Sequence, residues 1–391
     1  MISQRQIFLN HVAQTSPAPL GIEVAKAEGD FIFDVNNKKY VDLISGISVS
    51  NVGHRHPNVI KAIHAQLEKY MHVMVYGEYI QSPQVKLAEK IASLLPPTLN
   101  STYFTNSGAE AIEGALKLAK RITGRSEIIS FENAYHGSTH GALSIMGSEV
   151  FKSAYRPLLP GITLLPFNNI EELNKITENI ACVVIEPVQG EAGAIVPSEG
   201  YLEAIRKRCD ETRTILIFDE IQTGFGRTGK MFAFEHSNAI PDIIVFAKGL
   251  GGGLPIGAFV SSKENMDLFT NNPVLGHITT FGGNAVCCAA ALATIETIIE
   301  EKLIDGIAER EKIILETFNH PSIKKLSGTG LLFAVTLETE EKVQQVIQQC
   351  LKKGVITDWF LFNASSIRIA PPINIDKTVL KDSCQIIVDC L

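Results

Sequence analysis

The stretch FAKGLGGGLPIGA (246–258) sets one lysine, Lys248, directly after the apolar run DIIVF (242–246) and follows it with glycines. Burial at a strand mouth disfavours the ammonium form, lowers its pKa and leaves an amine that attacks carbonyl carbons. LIFDEIQTGFGRTGK (216–230) ends a second apolar run on Asp219. A carboxylate there is costly unless a cation, such as a protonated ring nitrogen, pairs with it; Glu220 beside it can serve structure alone. NSGAEAIEGALKLAK (106–120) follows the run TYFT. Ser107 and Glu110 have the S-x-x-E capping spacing, and Gly108 and Ala109 keep the first turn bare, so the helix start offers free amides to an anion. Taken alone, that stretch is only a well-capped helix. SFENAYHGSTHGALS (130–144) offers Tyr135 to lie over a planar ring, with His136 as ligand, base or packing. In VVIEPVQGEAG (183–193), Glu191 is a pocket carboxylate or a plain surface residue. Each part is weak by itself. Together they supply what pyridoxal phosphate needs: a Schiff-base lysine, a carboxylate for the ring nitrogen, an anion site and an aromatic lid.

A rival chemistry sits in the same stretch. Gly224 to Lys230 satisfies G-x-x-x-x-G-K, the opening of a phosphate-binding loop. Met231 stands where a serine or threonine would hold magnesium, and the acidic strand precedes the loop instead of following it. The match is read as chance.

The elements that must position these residues are short apolar runs at 102–105, 127–131, 162–166, 181–186, 214–219, 242–246 and 256–260, separated by amphipathic stretches such as 109–122 and 201–212. Continuous apolar runs suit strands buried on both faces, so an α/β core with a mainly parallel seven-stranded sheet flanked by helices is expected, with ligands at the carboxyl ends of the strands. Residues 20–44 read as a small antiparallel unit turning at Asn36-Asn37. A long helix over about 285–317, a strand at 331–338, a helix at 340–354 and a strand at 366–372 complete a smaller α+β domain. The expected division is 55–290 for the large domain, with 1–54 and 291–391 forming the small one.

The 391 residues carry a formal charge of −7, which argues against a nucleic-acid or anionic-membrane surface. Seven scattered cysteines without CxxC spacing suggest reduced thiols in a cytoplasmic setting, and no metal site is read from them. No secretion signal is read at the start of the chain and no run suffices for a membrane span.

From Pro19 onward the chain resembles the class III, ornithine/acetylornithine-type aminotransferases of PLP fold type I. The motifs that carry the resemblance are DLISGISVSNVGHRHPNVIKAI (42–63), TNSGAEAIEGALKLAK, AYHG, IEPVQGEAG, FDEIQTGFGRTG, FAKGLGGGLPIGA, TTFGGN (279–284) and RIAPP (368–372), all in the expected order. The resemblance implies pyridoxal 5'-phosphate on Lys248, with Asp219 on the pyridinium nitrogen and Gln222 on the phenolic oxygen. It implies Ile221 and Tyr135 about the ring and Ser107, Gly108 and Ala109 at the phosphate. Thr280 would reach the phosphate of a neighbouring subunit, which implies a homodimer with shared sites. Arg368 would grip a substrate carboxylate, and Glu191 would cover Arg368 when the reacting amine lies at the far end of the donor. Freed Lys248 would carry the proton between substrate and cofactor.

Two departures bear on substrate. Ser138 stands where the ornithine and acetylornithine enzymes have an arginine for a second carboxylate, which weakens the case for 2-oxoglutarate. MVYGEYIQSPQV (74–85) makes Tyr76, Glu78 and Tyr79 an unusual wall, and Glu78 is expected to favour a donor with a distal cation. The expected activity is amino transfer from an ω-amino or basic amino acid to a 2-oxo acid. The alternatives are an ω-amino acid:pyruvate transaminase or, on the same scaffold, a racemase or aminomutase; a nucleotide hydrolase and an inactive cofactor-binding protein are the readings from other classes.

Overall fold

The structure is a computed structural model that describes residues 3–75 and 77–391. The first strands are β1 (Val24–Glu28), β2 (Phe31–Asp34) and β3 (Lys39–Asp42), paired antiparallel in that order. The chain turns between β2 and β3 because Asp34 Oδ1 accepts from the amides of Asn36 and Lys38, at 2.8 and 2.9 Å, while Asn37 takes φ +61°.

Seven strands follow: β4 (Ser101–Thr105), β5 (Glu127–Phe131), β6 (Ile162–Leu165), β7 (Ile180–Ile185), β8 (Ile215–Asp219), β9 (Ile243–Phe246) and β10 (Gly257–Ser261). They form one sheet in the order β4-β10-β9-β8-β7-β5-β6, in which only β10 runs against the rest. Every residue of β7, β8, β9 and β10 is buried, as continuous apolar runs require when helices cover both faces. The helix Gly108–Thr123 packs on this sheet through Ala111, Ile112, Ala115, Leu116, Leu118 and Ala119. Its end is set by Gly124 in the left-handed conformation, with Lys120 and Arg121 in the last turn.

The C-terminal strands are β11 (Lys325–Thr329), β12 (Leu332–Thr336), β13 (Val355–Ile356), β14 (Trp359–Phe360) and β15 (Asn363–Ile369). β13 pairs parallel with β3, so elements from the two ends of the chain share a sheet. The other four make a third sheet, β11-β12-β15-β14. The single helix expected over 285–317 is broken: Ala285–Glu300 ends, Lys302 takes φ +52°, and a short turn leads into Ile307–Thr317. A lysine in the left-handed region turns the chain where periodicity alone reads straight through.

The phosphate-loop match fails on structure as well. Residues 221–230 form consecutive turns after β8, Lys230 is exposed, and only a short 3-10 turn, Ala233–His236, follows. Arg227 is fully buried and donates to the carbonyls of Leu331 and Pro371 and to Asn51 Oδ1, clamping the loop between both chain ends. Glu220 is likewise structural: its buried carboxylate accepts from Thr223 Oγ1 and the amides of Ala233 and Phe234, and burial pushes it up to about 7. Among the described residues no helix is long and apolar enough to cross a membrane.

Gly257 at the start of β10 ties the sheet to the helix start. A Cβ there would lie 2.2 Å from the carbonyl oxygen of Ser107, a backbone atom that yields only if the helix leaves the sheet edge. Gly257→Ala is expected to destabilise the protein by about 1–3 kcal/mol in denaturant unfolding.

Candidate active site

The carboxyl edge of the large sheet gathers the candidate residues. Asp219 is the last residue of β8, and Glu186 and Lys248 follow β7 and β9 by one and two positions. Asn106 and Ser107 follow β4, and the segment carrying Tyr135 and His136 follows β5. Ser107, Gly108, Ala109, Tyr135, Ser138, Asp219, Ile221, Gln222 and Lys248 line one cavity of about 510 Å³. Eight of these are the residues read as cofactor ligands; only Thr280 is missing from that set, being exposed and outside the cavity of its own chain.

Ser107 caps its helix, accepting from the amide of Glu110 at 3.2 Å. The reciprocal half of the capping box is displaced by one residue: Glu110 reaches the amide of Asn106, at 2.7 Å, instead of that of Ser107. The first-turn amides of Gly108 and Ala109 therefore remain the open, positive end of the helix. A Cβ on Gly108 would stand 2.7 Å from Ile221 Cδ1, so the cradle is closed to any side chain while still open to an anion. Ile221 and Tyr135 face this cavity from different strands, a slot for a planar ring.

Asp219 is buried, and both its oxygens are partnered: Oδ2 with His136 Nδ1 at 2.7 Å, Oδ1 with the amide of Ile221 at 3.0 Å. Each oxygen keeps a lone pair for a further donor such as a ring N–H. Burial opposes a charge on His136, but the hydrogen bond and charge of Asp219 outweigh it and hold the imidazole above its ordinary value. Glu186 accepts from the amides of Tyr135 and Gly190, each at 3.1 Å, and burial pushes it up to about 7. Burial also pulls Lys248 below the ordinary lysine value, opposed by the charge of Glu191. Lys248 sits at φ +43°, a conformation uncommon outside glycine.

A second chamber of about 390 Å³ opens from the first, sharing Tyr135 and Lys248. Its other walls are Ile47, Glu191, Asp358, Trp359, Leu361 and Arg368. Arg368 is buried and held on two sides. Its NH1 and NH2 meet Glu191 at 3.0 and 2.8 Å, and its Nε meets Asp358 Oδ1 at 2.9 Å. The guanidinium also lies 4.3 Å over the Phe360 ring. Glu191 takes two further donors, Gln222 Nε2 at 3.2 Å and the amide of Leu361 at 3.1 Å. Burial alone would raise its carboxyl, but Arg368 draws it down from an ordinary 4.5 to about 2.

The residues read as substrate contacts fall at different places in this chain. Glu78 is exposed and lines a separate cavity with Tyr103, Phe269 and His277. Tyr76 lies outside the described residues. Ser138 does line the first cavity, but its hydroxyl contacts Tyr135 Oη at 3.3 Å and supplies no charge; His140 is exposed and lines neither chamber. Three site residues went unread. Glu186 carries the same signal as Asp219, an acid ending an apolar run. Ile47 reaches the chamber wall through a left-handed turn, Ser45–Ser48, with φ between +49° and +64°. Asp358 has no local signal at all.

The family model for class-III aminotransferases matches residues 12–391. Ornithine aminotransferase from Toxoplasma gondii, whose crystals hold PLP at partial occupancy, superposes with a TM-score of 0.92 at 28% identity, covering 100% of this chain and 94% of that one. Adenosylmethionine-8-amino-7-oxononanoate aminotransferase from Methanocaldococcus jannaschii gives 0.91 at 28% identity, covering 99% and 98%. An (S)-enantioselective omega-transaminase from Thermomicrobium roseum gives 0.90 at 26% identity, covering 98% and 96%.

A carboxylate held below its unfolded value contributes stability above that value and loses it as pH falls. For Glu191 the window runs from 4.5 down toward about 2. The stability advantage of the native protein over Glu191→Gln is expected to be constant near neutrality and to shrink across this window, as read by denaturant unfolding at stepped pH.

Proposed function

Because the chain belongs to the class-III aminotransferases and uses pyridoxal phosphate, we propose that it moves an amino group from an ω-amino or basic amino-acid donor, of the ornithine/acetylornithine type, to a 2-oxo acid. The observation that carries this reading is the Glu191–Arg368 pair closed over the outer chamber, with Lys248 between the two chambers. While Glu191 covers Arg368, the chamber presents no free fork to a carboxylate, which suits a donor whose reacting amine is remote from its carboxylate. When Glu191 turns away, Arg368 offers the bidentate geometry that a 2-oxo acid needs.

When bound, the cofactor supplies an aldehyde that condenses with amines and a ring that accepts electron density from the reacting carbon. The chain's own residues do the rest. Ser107, Gly108 and Ala109 would hold the phosphate at the helix start, and Asp219 would pair with the ring nitrogen. Gln222 would donate to the phenolic oxygen, and Ile221 and Tyr135 would flank the ring. Lys248 Nζ would hold the cofactor and, as a free amine, would serve as the general base and acid that moves the substrate proton. Burial lowers the Lys248 pKa, which favours the free amine that such an exchange requires.

The alternative acceptor is pyruvate. Arg368 and Lys248 are the only lysine or arginine side chains among the described residues lining either chamber, His136 is already engaged by Asp219, and Ser138 is neutral, so a second acceptor carboxylate has no ready partner within one chain. A donor screen followed by pyruvate and 2-oxoglutarate separates the two, and a released keto acid or aldehyde separates both from a racemase or aminomutase.

The subunits are proposed to pair, with Thr280 of the partner subunit reaching the phosphate. Support comes from a run of exposed apolar side chains: Ile80 is 96% exposed, Val274 69%, Met71 64% and Phe281 58%. His72 lies tilted against Phe281, with ring centroids 5.1 Å apart, so the segments carrying Met71 and Phe281 adjoin.

Borohydride reduction of the holoenzyme is expected to leave a pyridoxyl adduct on Lys248 and nowhere else. Lys248→Ala is expected to lose at least about 10³-fold in turnover; retention of normal turnover would reject the assignment. Sedimentation is expected to give twice the chain mass, and Phe281→Asp to shift the protein toward monomer.

A further inference from the structure

The outer chamber contains an acid that the proposed transfer does not use. Asp358 lies between β13 and β14 and is fixed to Arg368 three ways. Its backbone carbonyl accepts from the Arg368 amide at 2.8 Å, its Oδ1 takes Arg368 Nε at 2.9 Å, and the neighbouring Thr357 Oγ1 donates to the Arg368 carbonyl. Among the described residues Oδ2 accepts no hydrogen bond, and the Asp358 side chain, part-exposed, lines the chamber.

The charges around this chamber do not cancel. Two carboxylates, Glu191 and Asp358, face one guanidinium, Arg368. Lys248 is the fourth charged group, and it loses its positive charge when its amine is deprotonated. The working chamber then carries one net negative charge, on the carboxylate with a free oxygen. Burial pushes Asp358 up to about 6, and the guanidinium of Arg368 beside it favours its charged form. Between Lys248 and Asp358 the walls are the apolar Ile47, Tyr135, Trp359 and Leu361, surfaces for a chain of methylenes.

We propose that Asp358 selects the amino donor: its free carboxylate oxygen receives a distal ammonium while the donor's other amine reacts at Lys248, so the donor is a diamine or a basic amino acid. This rests on the transaminase reading and deepens it. Within one chain, Asp358 and not Glu78 lines the chamber in which a distal cation would be met. Because Asp358 holds Nε and Glu191 holds the NH1–NH2 fork, Arg368 stays oriented when Glu191 leaves for the acceptor.

The test uses holoenzyme with putrescine and n-butylamine, which share a carbon chain and differ at the far end by an ammonium. The kcat/KM ratio of putrescine to n-butylamine is expected to be at least about tenfold in the native enzyme, the size of one charge-assisted hydrogen bond. In Asp358→Asn that ratio is expected to fall by at least about tenfold, whatever common factor both donors lose. Ornithine serves as a third donor: a kcat/KM above that of putrescine identifies a basic amino acid and one below it a diamine. A binding readout accompanies the kinetics, in which putrescine raises the melting temperature of Lys248→Ala more than n-butylamine does at equal concentration. Turnover with a ratio near one in the native enzyme, or a ratio that Asp358→Asn leaves within about twofold, overturns the proposal alone. If Asp358→Asn fails to fold, the native ratio and the melting shift decide. Absence of amino transfer from every donor overturns the transaminase reading and this proposal together.

Discussion

A carboxylate buried at a strand end constrains everything around it. Asp219 closes β8 inside the protein, where an unpaired negative charge costs several kcal/mol. His136 answers part of that charge through a 2.7 Å contact, and the Ile221 amide answers another part. Glu186 adds a second acid to the same cluster, and its carboxyl is pushed up toward neutrality by burial. The cavity is thus negative beneath and amide-lined at one end, where the helix Gly108–Thr123 begins. A ligand that satisfies both needs a cationic ring at one end and an anion at the other, and pyridoxal phosphate is such a molecule.

Arg227 and Arg368 are both almost completely buried, yet they do opposite things. Arg227 donates to two carbonyls and an asparagine, groups that cannot move without unfolding the segments they belong to. Burial pushes it down to about 9, and it serves as a permanent clamp. Arg368 also donates to the Trp359 carbonyl and Gln222 Oε1, but its shortest side-chain partners are carboxylates, and one of them, Glu191, lies on a loop held by glycines at 190 and 193. An ion pair between side chains can be exchanged for another carboxylate of the same geometry, whereas a backbone clamp cannot. That difference in partners separates a structural arginine from one that can meet a substrate.

The large sheet was readable because its strands are continuous apolar runs, and the cofactor cavity followed because each strand end carries a polar residue of unusual type: Asp219, Lys248, Ser107. Such signals are local, so one sequence suffices. The second chamber is built otherwise. Asp358 reaches it only because β14 and β15 pair, a contact set by the tertiary fold and unmarked by any pattern near residue 358. Glu78 stands out in sequence because its neighbourhood is unusual, but within one chain it lines a cavity apart from both chambers. The break at Lys302 was hidden because helical periodicity resumes after the turn.

The two chambers therefore rest on different parts of the fold. The cofactor walls come from strand ends of the seven-stranded sheet, whose mutual positions are fixed by a close-packed core. Ile47 belongs to the strained turn Ser45–Ser48, in which left-handed backbone costs about 1–2 kcal/mol at each non-glycine residue. The turn persists because the Ser45 amide is held by Asp42 Oδ1 at 2.9 Å and its hydroxyl by the Ala370 carbonyl at 2.7 Å. Ala370 in turn follows β15, the strand that carries Arg368. One hydrogen-bonded path thus sets both the apolar wall and the charged wall of the outer chamber, and that chamber meets the cofactor cavity at Lys248, Tyr135 and the Gln222–Glu191 contact. Changes along that path act first on which donor fits, because the cofactor cavity keeps its own strand-end framework.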